Sequence, residues 1–278
     1  MTKTAVPQVL KTVGVVGAGR MGTPIIGHLV RKGVATRVCD VNAARASAVR
    51  ERGAQWVAST ESLAAECDAI LVCVGFGREV QQLLGEGGPL REVRPGAVVA
   101  ILSTIHPRTV QTLARETEGA GLQVVDSTVC RGGEAADSGT LLSFVGGSAE
   151  VVARLTPVLR AYSSDVVHTG GVGTAQVAKA ANNLILWACL VADHEGLALA
   201  RHYGADVEAL RRALLMSSCA NGPLEKWGSQ TMAWAEDDMA IVAEMAAEAG
   251  IALPQAGVNR EICRALKPRR YKLGLYGR

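Results

Sequence analysis

Short apolar runs rich in β-branched residues recur along the first half of the chain, at 12–16, 35–39, 69–74, 97–102 and 122–125. Between them lie segments with apolar residues at helical spacing, at 21–31, 43–52, 79–84 and 107–118. The runs AILVCV and AVVAIL are almost continuously apolar, as strands buried on both faces are. β and α units alternating at this length predict a parallel sheet with helices on both faces, the doubly wound Rossmann-type α/β class. Two more β-rich runs, 140–145 and 165–168, flank a helical stretch at 149–162.

After Thr169 only helical patterns remain. GGVG punctuates the chain, an uninterrupted helical pattern runs from about 172 to 203, and Gly204 closes it. Further helices are predicted at 206–216, 235–249 and 254–266, with Asp206 as an Asx cap and Pro254 in a first turn. The predicted organisation is a dinucleotide-type α/β domain over 1–168 and an all-helical domain over 169–278, entered through one long helix. Leu184, Leu186, Trp187, Leu190 and Val191 exceed one buried stripe on that helix, which predicts a homodimer or homotetramer.

Composition narrows the function classes. The 278 residues are 49% apolar and 20% charged, which excludes disorder for the bulk of the chain. The balance of 29 basic against 26 acidic residues, +3, is too small for a nucleic-acid binder. Seven cysteines show no CxxC or Cys/His zinc spacing and lie mostly in apolar stretches, so free thiols and no metal site are expected. The start MTKTAVPQVLK lacks a signal peptide's apolar core, and the longest apolar run, 184–192, is far short of the ~20 residues that span a bilayer. A cytoplasmic protein with no membrane partner is expected. The final KPRRYKLGLYGR is strongly basic and reads as a solvated tail.

Chemistry enters with Gly17-Ala18-Gly19-Arg20-Met21-Gly22, a GxGxxG directly after TVGVV and directly before a helical pattern. Gly17 permits a tight turn, Gly19 lets the backbone approach a pyrophosphate, and Gly22 allows close helix–strand packing. The helix N-terminus offers N–H groups and a positive dipole end to phosphates. The second predicted strand ends at Asp40, where a carboxylate hydrogen-bonds the adenosine ribose. A dinucleotide site follows. Asp40 repels a 2′-phosphate and so favours NAD, while Arg37 and Arg45 close by admit NADP.

Lys179 lies early in the long helix, in GGVGTAQVAKAANN, with Asn182 and Asn183 on the same face. Its neighbours are Ala, Val, Leu and Ile, an apolar wall whose desolvation lowers a lysine pKa and suits proton exchange with an alcohol. On spacing alone, a surface lysine among helix-favouring alanines is the simpler reading.

Together these stretches resemble the β-hydroxyacid dehydrogenase family, typified by 3-hydroxyisobutyrate dehydrogenase. VGVVGAGRMGTPIIGHLVRKG is similar to that family's cofactor motif, VVDSTVCRGGEAADSGTL to its substrate stretch, and HTGGVGTAQVAKAANN to its catalytic stretch. AEDDMAIVAEMAAEAGIALP resembles the helix that closes the site near the C-terminus, so the likeness covers residues 11–266 with the motifs in order. It implies an NAD- or NADP-dependent oxidoreductase with its site between the two domains, acting on a small substrate that carries an anionic group. By the same resemblance Lys179 is the general acid/base, and Asn183 holds lysine and substrate oxygen in register. Gly132, with Cys130 and Arg131, meets the substrate. Val74 and Gly75 line the cofactor, and Ser103 and Thr104 approach the nicotinamide ribose, a helix cap before Pro107 being the plainer role for these last two.

Three departures qualify the likeness. Cys130 and Arg131 stand where the family usually has serine then glycine. A thiol is a poor donor, whereas a guanidinium offers a bidentate clamp on a carboxylate or sulfonate, or else points to solvent or a cofactor phosphate. Asp237, in the cofactor-side position of the closing helix, replaces a family lysine and inverts its charge. The stretch between Asn221 and Asp237 is short, placing Trp227 and Trp234 at a widened rim or in the core. The competing functions are an imine reductase of the same fold, against which retention of Lys179 argues, and a non-catalytic NAD-binding sensor or scaffold.

Overall fold

In the computed structural model, which describes residues 10–228 and 232–266, the chain opens with β1 at Thr12–Val16. It continues through β2 Ala35–Cys39, β3 Gln55–Trp56, β4 Ala69–Val72, β5 Val98–Ile101, β6 Gln123–Cys130, β7 Leu141–Gly146 and β8 Ser163–Gly170. Helices α1 Gly22–Arg31, α2 Ala46–Glu51, α3 Thr60–Glu66, α4 Gly77–Leu84, α5 Pro107–Thr117, α6 Gly132–Ser138 and α7 Ala149–Leu159 connect them. The basic segment 267–278 lies outside the described residues.

The strands form one sheet in the order β3-β2-β1-β4-β5-β6-β7-β8. β1 to β6 are parallel, so the strand order reverses between β1 and β4, the switch point at which such sheets bind ligands. Alternate side chains enter two cores: Val13, Val15 and Leu71 on one face, and Ile70, Val72, Val99 and Ile101 on the other. Burial on both faces is why these strands lack polar alternation.

The sheet departs from the fully parallel expectation at β7, which pairs antiparallel with β6 while β8 runs parallel to β7. β6 is also twice as long as predicted, because the polar stretch after Val125 continues the strand. β3, α3 and α6 are too short to have shown a period in the sequence.

The second unit contains α8 Thr174–His202, which starts in the first, then α9 Val207–Leu214, α10 Gly222–Glu225, α11 Ala235–Ala249 and α12 Pro254–Leu266. The division falls after Lys179, later than the expected 168/169. The reason is local: β8 runs on to Gly170, and the first turns of α8 are bonded to β6. Trp187, Leu190 and Val191 are buried in the helical unit's own core with Met239, Val242 and Cys263, and Leu184 and Leu186 pack against it. The large apolar residues of α8 that remain exposed are instead Val177, Ile185 and Leu199. α8 is long and apolar enough to cross a membrane by length and composition alone.

Candidate active site

The turn after β1 is built around Gly17. Its φ of +100° suits glycine, and a Cβ there would fall on the carbonyl oxygen of Cys73 at the end of β4. Its N–H donates to the Cys39 carbonyl, 2.9 Å, tying the turn to β2. A Cβ on Gly22 would strike the Gly17 carbonyl, so the start of α1 is drawn tight against the turn. Among the described residues no side chain caps α1; its Thr23 N–H donates to the Gly19 carbonyl at 3.0 Å and Pro24 has none, so an anion would be met by the Gly22 N–H and the amides of the turn. Arg20 points elsewhere: its guanidinium makes a bidentate pair with Asp137 at 2.7 and 2.8 Å, so only the Arg20 backbone remains in the expected cradle.

Asp40 follows β2 with its side chain almost wholly buried. Oδ2 accepts from the Ala18 N–H and from Arg45, both at 2.6 Å, and Oδ1 accepts from the Asn42 N–H at 2.8 Å. Burial pushes its pKa up, but these donors outweigh burial and hold the carboxyl below the usual range. A carboxylate offers about four lone-pair sites. Three are filled, which leaves room for one ribose hydroxyl. Arg45 balances the carboxylate that would repel a 2′-phosphate, whereas Arg37 is paired with Glu66.

Ser103, after β5, is buried and faces the loop after β4. Its hydroxyl accepts from the Val74 N–H at 3.0 Å and donates to the Val74 carbonyl at 2.8 Å, so it joins the two loops. Thr104 is half-buried and Gly75 exposed beside them.

β6 runs past β5, whose last partnered residue, Ile101, pairs with Asp126. Asp126, Thr128 and Cys130 therefore project from one face of an overhang at the carboxyl edge of the sheet. Asp126 accepts from the Gly173 N–H at 2.7 Å and the Gln176 N–H at 2.9 Å, and Thr128 donates to the Ala175 carbonyl at 3.0 Å. Burial is the larger influence on Asp126 and leaves its pKa raised despite the N–H donors. Lys179, half-buried, donates to the Val129 carbonyl at 2.7 Å and lies 3.9 Å from the Cys130 sulfur. Lys179 and Cys130, both expected from the sequence, lie together here with Asp126, Thr128 and Gln176, which were not. A signal existed: Gly173 precedes α8 and has no side chain with which to cap it.

Arg131 does not present a free anion clamp. It sits in the left-handed region at φ +83°, and its guanidinium donates to Asp165 at 2.7 Å, Ser164 at 2.8 Å and the Thr140 carbonyl at 3.1 Å. Arg131 and then Ser164 hold the Asp165 carboxyl below its usual range. Gly132 is exposed, at φ +76°. In the helical unit, Asn183 is buried one turn after Lys179 on α8, and Asn182 donates to its side-chain oxygen at 3.0 Å. Asp237 is exposed in the first turn of α11. Trp227 packs on that unit's core, its ring tilted against His194 with centroids 4.6 Å apart, the core role rather than a rim, whereas Trp234 is half exposed. No metal-binding group of His, Cys, Asp or Glu occurs among the described residues.

The chain is similar to known proteins along most of its length. Residues 12–171 match the family described as the NAD binding domain of 6-phosphogluconate dehydrogenase. Residues 173–272 match that described as NAD-binding of NADP-dependent 3-hydroxyisobutyrate dehydrogenase. The chain is 28% identical over 262 residues to 2-(hydroxymethyl)glutarate dehydrogenase of Eubacterium barkeri, across 90% of this chain and 87% of that one. It is 32% identical over 213 residues to 3-hydroxyisobutyrate dehydrogenase of Pseudomonas aeruginosa, across 76% of this chain and 72% of that one. The solved Mycobacterium tuberculosis 3-hydroxyisobutyrate dehydrogenase with L-serine has the same fold, with a TM-score of 0.86 at 22% identity, covering 95% of this chain and 96% of that one.

Proposed function

The chain belongs to the β-hydroxyacid dehydrogenase family, as an NAD(P)-dependent oxidoreductase, and from that premise we propose that it interconverts a small anionic hydroxy acid or related alcohol with its aldehyde or ketone, Lys179 being the general acid/base. The observation that carries this reading is the placement of the Lys179 ammonium. It is held on the Val129 carbonyl at the edge of the sheet where the glycine turn and the loops after β4 and β5 also end.

The cradle fits a dinucleotide, because Gly17 and Gly22 let the turn and α1 pack tightly, while a Cβ on Gly19 would meet only the Arg45 guanidinium, at 3.6 Å, so the backbone there is open to a pyrophosphate. The glycine turn, Asp40, Val74, Gly75, Ser103 and Thr104 would hold it. When bound, the nicotinamide supplies the hydride acceptor or donor.

Lys179 takes the hydroxyl proton in oxidation and returns it in reduction. In oxidation the neutral amine takes that proton on its lone pair and becomes the ammonium; in reduction the ammonium gives it back, and in either form one N–H donates to the Val129 carbonyl. Asn183 is the proposed second donor to that oxygen. With Arg131 held by Asp165, the Gly132 N–H is the proposed contact for a substrate carboxylate. The exposed arc of Val177, Ile185 and Leu199 supports a homo-oligomer through α8.

The test is oxidation of 3-hydroxyisobutyrate, 2-(hydroxymethyl)glutarate and L-serine, each with NAD+ and with NADP+. Turnover of at least one is expected. Tight NADH binding with no turnover of any would refute the hydroxy-acid assignment.

A further inference from the structure

α8 has no cap of its own, and the first turn of a helix leaves four N–H groups without intrahelical partners. The residue before Thr174 is a glycine, and the partners come from elsewhere in the chain. Asp126, buried completely, takes the Gly173 and Gln176 N–H groups at 2.7 and 2.9 Å. Thr128, two residues along the same strand face, takes hold of the Ala175 carbonyl. Gln176 is buried to 1% and reaches the other way: its Nε2 donates to the Ser103 carbonyl at 2.8 Å and its Oε1 accepts from the Ile105 N–H at 3.0 Å. The first turn of the helix is thereby bonded to β6 on one side and to the loop after β5 on the other. Lys179 follows Gln176 by three residues.

We infer that Asp126 and Gln176 are positioning residues for the reaction: they fix the rotation of α8 and so set where the Lys179 ammonium meets the reacting oxygen. This rests on the assignment of Lys179 as the acid/base. A lysine nitrogen lies about 8 Å from the helix axis, from a Cα radius of about 2.3 Å and an extended side chain. A roll of about 10° then moves it about 1.4 Å, and a misplacement of that size costs on the order of a hundredfold in rate. Val129, which receives the ammonium, lies on β6 between Thr128 and Cys130, so one strand both caps the helix and receives its lysine. Asp126 acts at the backbone of α8, and its predicted effect is on the chemical step and not on cofactor affinity.

The test is a double-mutant cycle with Asp126→Asn and Lys179→Ala, assayed on whichever of 3-hydroxyisobutyrate, 2-(hydroxymethyl)glutarate or L-serine turns over fastest. Ethylamine is added to restore a measurable rate in the lysine-free variants. D126N, keeping one of two acceptors, is expected to lower kcat about tenfold or more, with NADH dissociation within about twofold of wild type. Without Lys179, D126N is expected to change the ethylamine-rescued rate less than about twofold, because both substitutions act on one function. Equal losses in the two backgrounds, or NADH affinity falling in step with kcat, would overturn the inference. If K179A alone keeps wild-type turnover, the acid/base assignment fails and takes the inference with it; if K179A is inactive and the cycle additive, the inference alone fails.

A measurement free of substrate runs beside it. Acylation of Lys179, followed by peptide mass spectrometry, is expected to speed up severalfold in D126N while the exposed Lys11 and Lys32 are unchanged. Unchanged Lys179 labelling would count against the proposal. Should D126N fail to fold, Gln176→Met, which removes only the bonds to Ser103 and Ile105, enters the same cycle with the same expectations.

Discussion

Arg131 permits a clean test of backbone strain, because its φ of +83° belongs to a region that costs a non-glycine residue about 1–2 kcal/mol. The perturbation is a pair of substitutions, Arg131→Ala and Arg131→Gly. Both remove the hydrogen bonds to Asp165, Ser164 and Thr140, so that loss cancels when the variants are compared. What remains is the left-handed cost, kept by alanine and relieved by glycine, less the greater entropy of glycine in the unfolded chain, about 0.4–1 kcal/mol. The glycine variant should be more stable than the alanine variant by about 0.5–1 kcal/mol. At about 2–4 °C per kcal/mol for a chain of this size, its Tm should lie roughly 1–4 °C higher. Differential scanning calorimetry of the two proteins in one buffer reads this directly. An alanine variant as stable as the glycine variant would refute the strain argument. The same proteins bear on specificity: with Arg131 held by Asp165, KM for a carboxylate substrate should move less than about twofold, and a tenfold rise would show that the guanidinium leaves Asp165 to bind substrate.

Other outcomes follow from the cofactor cradle. Gly17→Ala places a Cβ on the Cys73 carbonyl at a left-handed φ, so NADH binding should disappear by fluorescence titration, with about 2–4 kcal/mol lost from stability. Arg45→Ala exposes the Asp40 carboxylate to a 2′-phosphate, so KM for NADP+ should rise about tenfold relative to NAD+; an unchanged ratio would contradict the pairing seen here. Asp40 is held below the ordinary carboxyl value of about 4, so its contribution to stability is fully present above that pH and is lost as pH falls through the depressed value. Tm measured against pH should therefore show wild type and Asp40→Asn converging in acid, and parallel curves would contradict the assignment.

Much of this was legible in the sequence because the sheet's first half follows simple rules. β1, β4 and β5 are buried on both faces, and the GxGxxG lies where strand gives way to helix. β6 was harder. Asp126, Ser127 and Thr128 are polar and look like a loop, yet all three are fully buried, Asp126 and Thr128 because they serve the first turn of α8. That service depends on residues 47 and 50 positions apart in the chain, which no local pattern reveals. The choice between an anion clamp and a solvent-facing Arg131 could not be made locally for a similar reason: its partner Asp165 comes from β8. The apolar excess on α8 was seen, but which residues it left exposed depended on α11 and α12.

The central claim, that one amine at the end of β6 moves the proton, is tested most directly by comparing Lys179→Ala with wild type in the same preparation. General acid–base groups contribute about 10²–10⁴-fold, so kcat should fall by at least about a hundredfold while the dissociation constant for NADH stays within about twofold. A variant that turns over within about tenfold of wild type, or one that loses cofactor affinity in proportion to rate, would contradict the account.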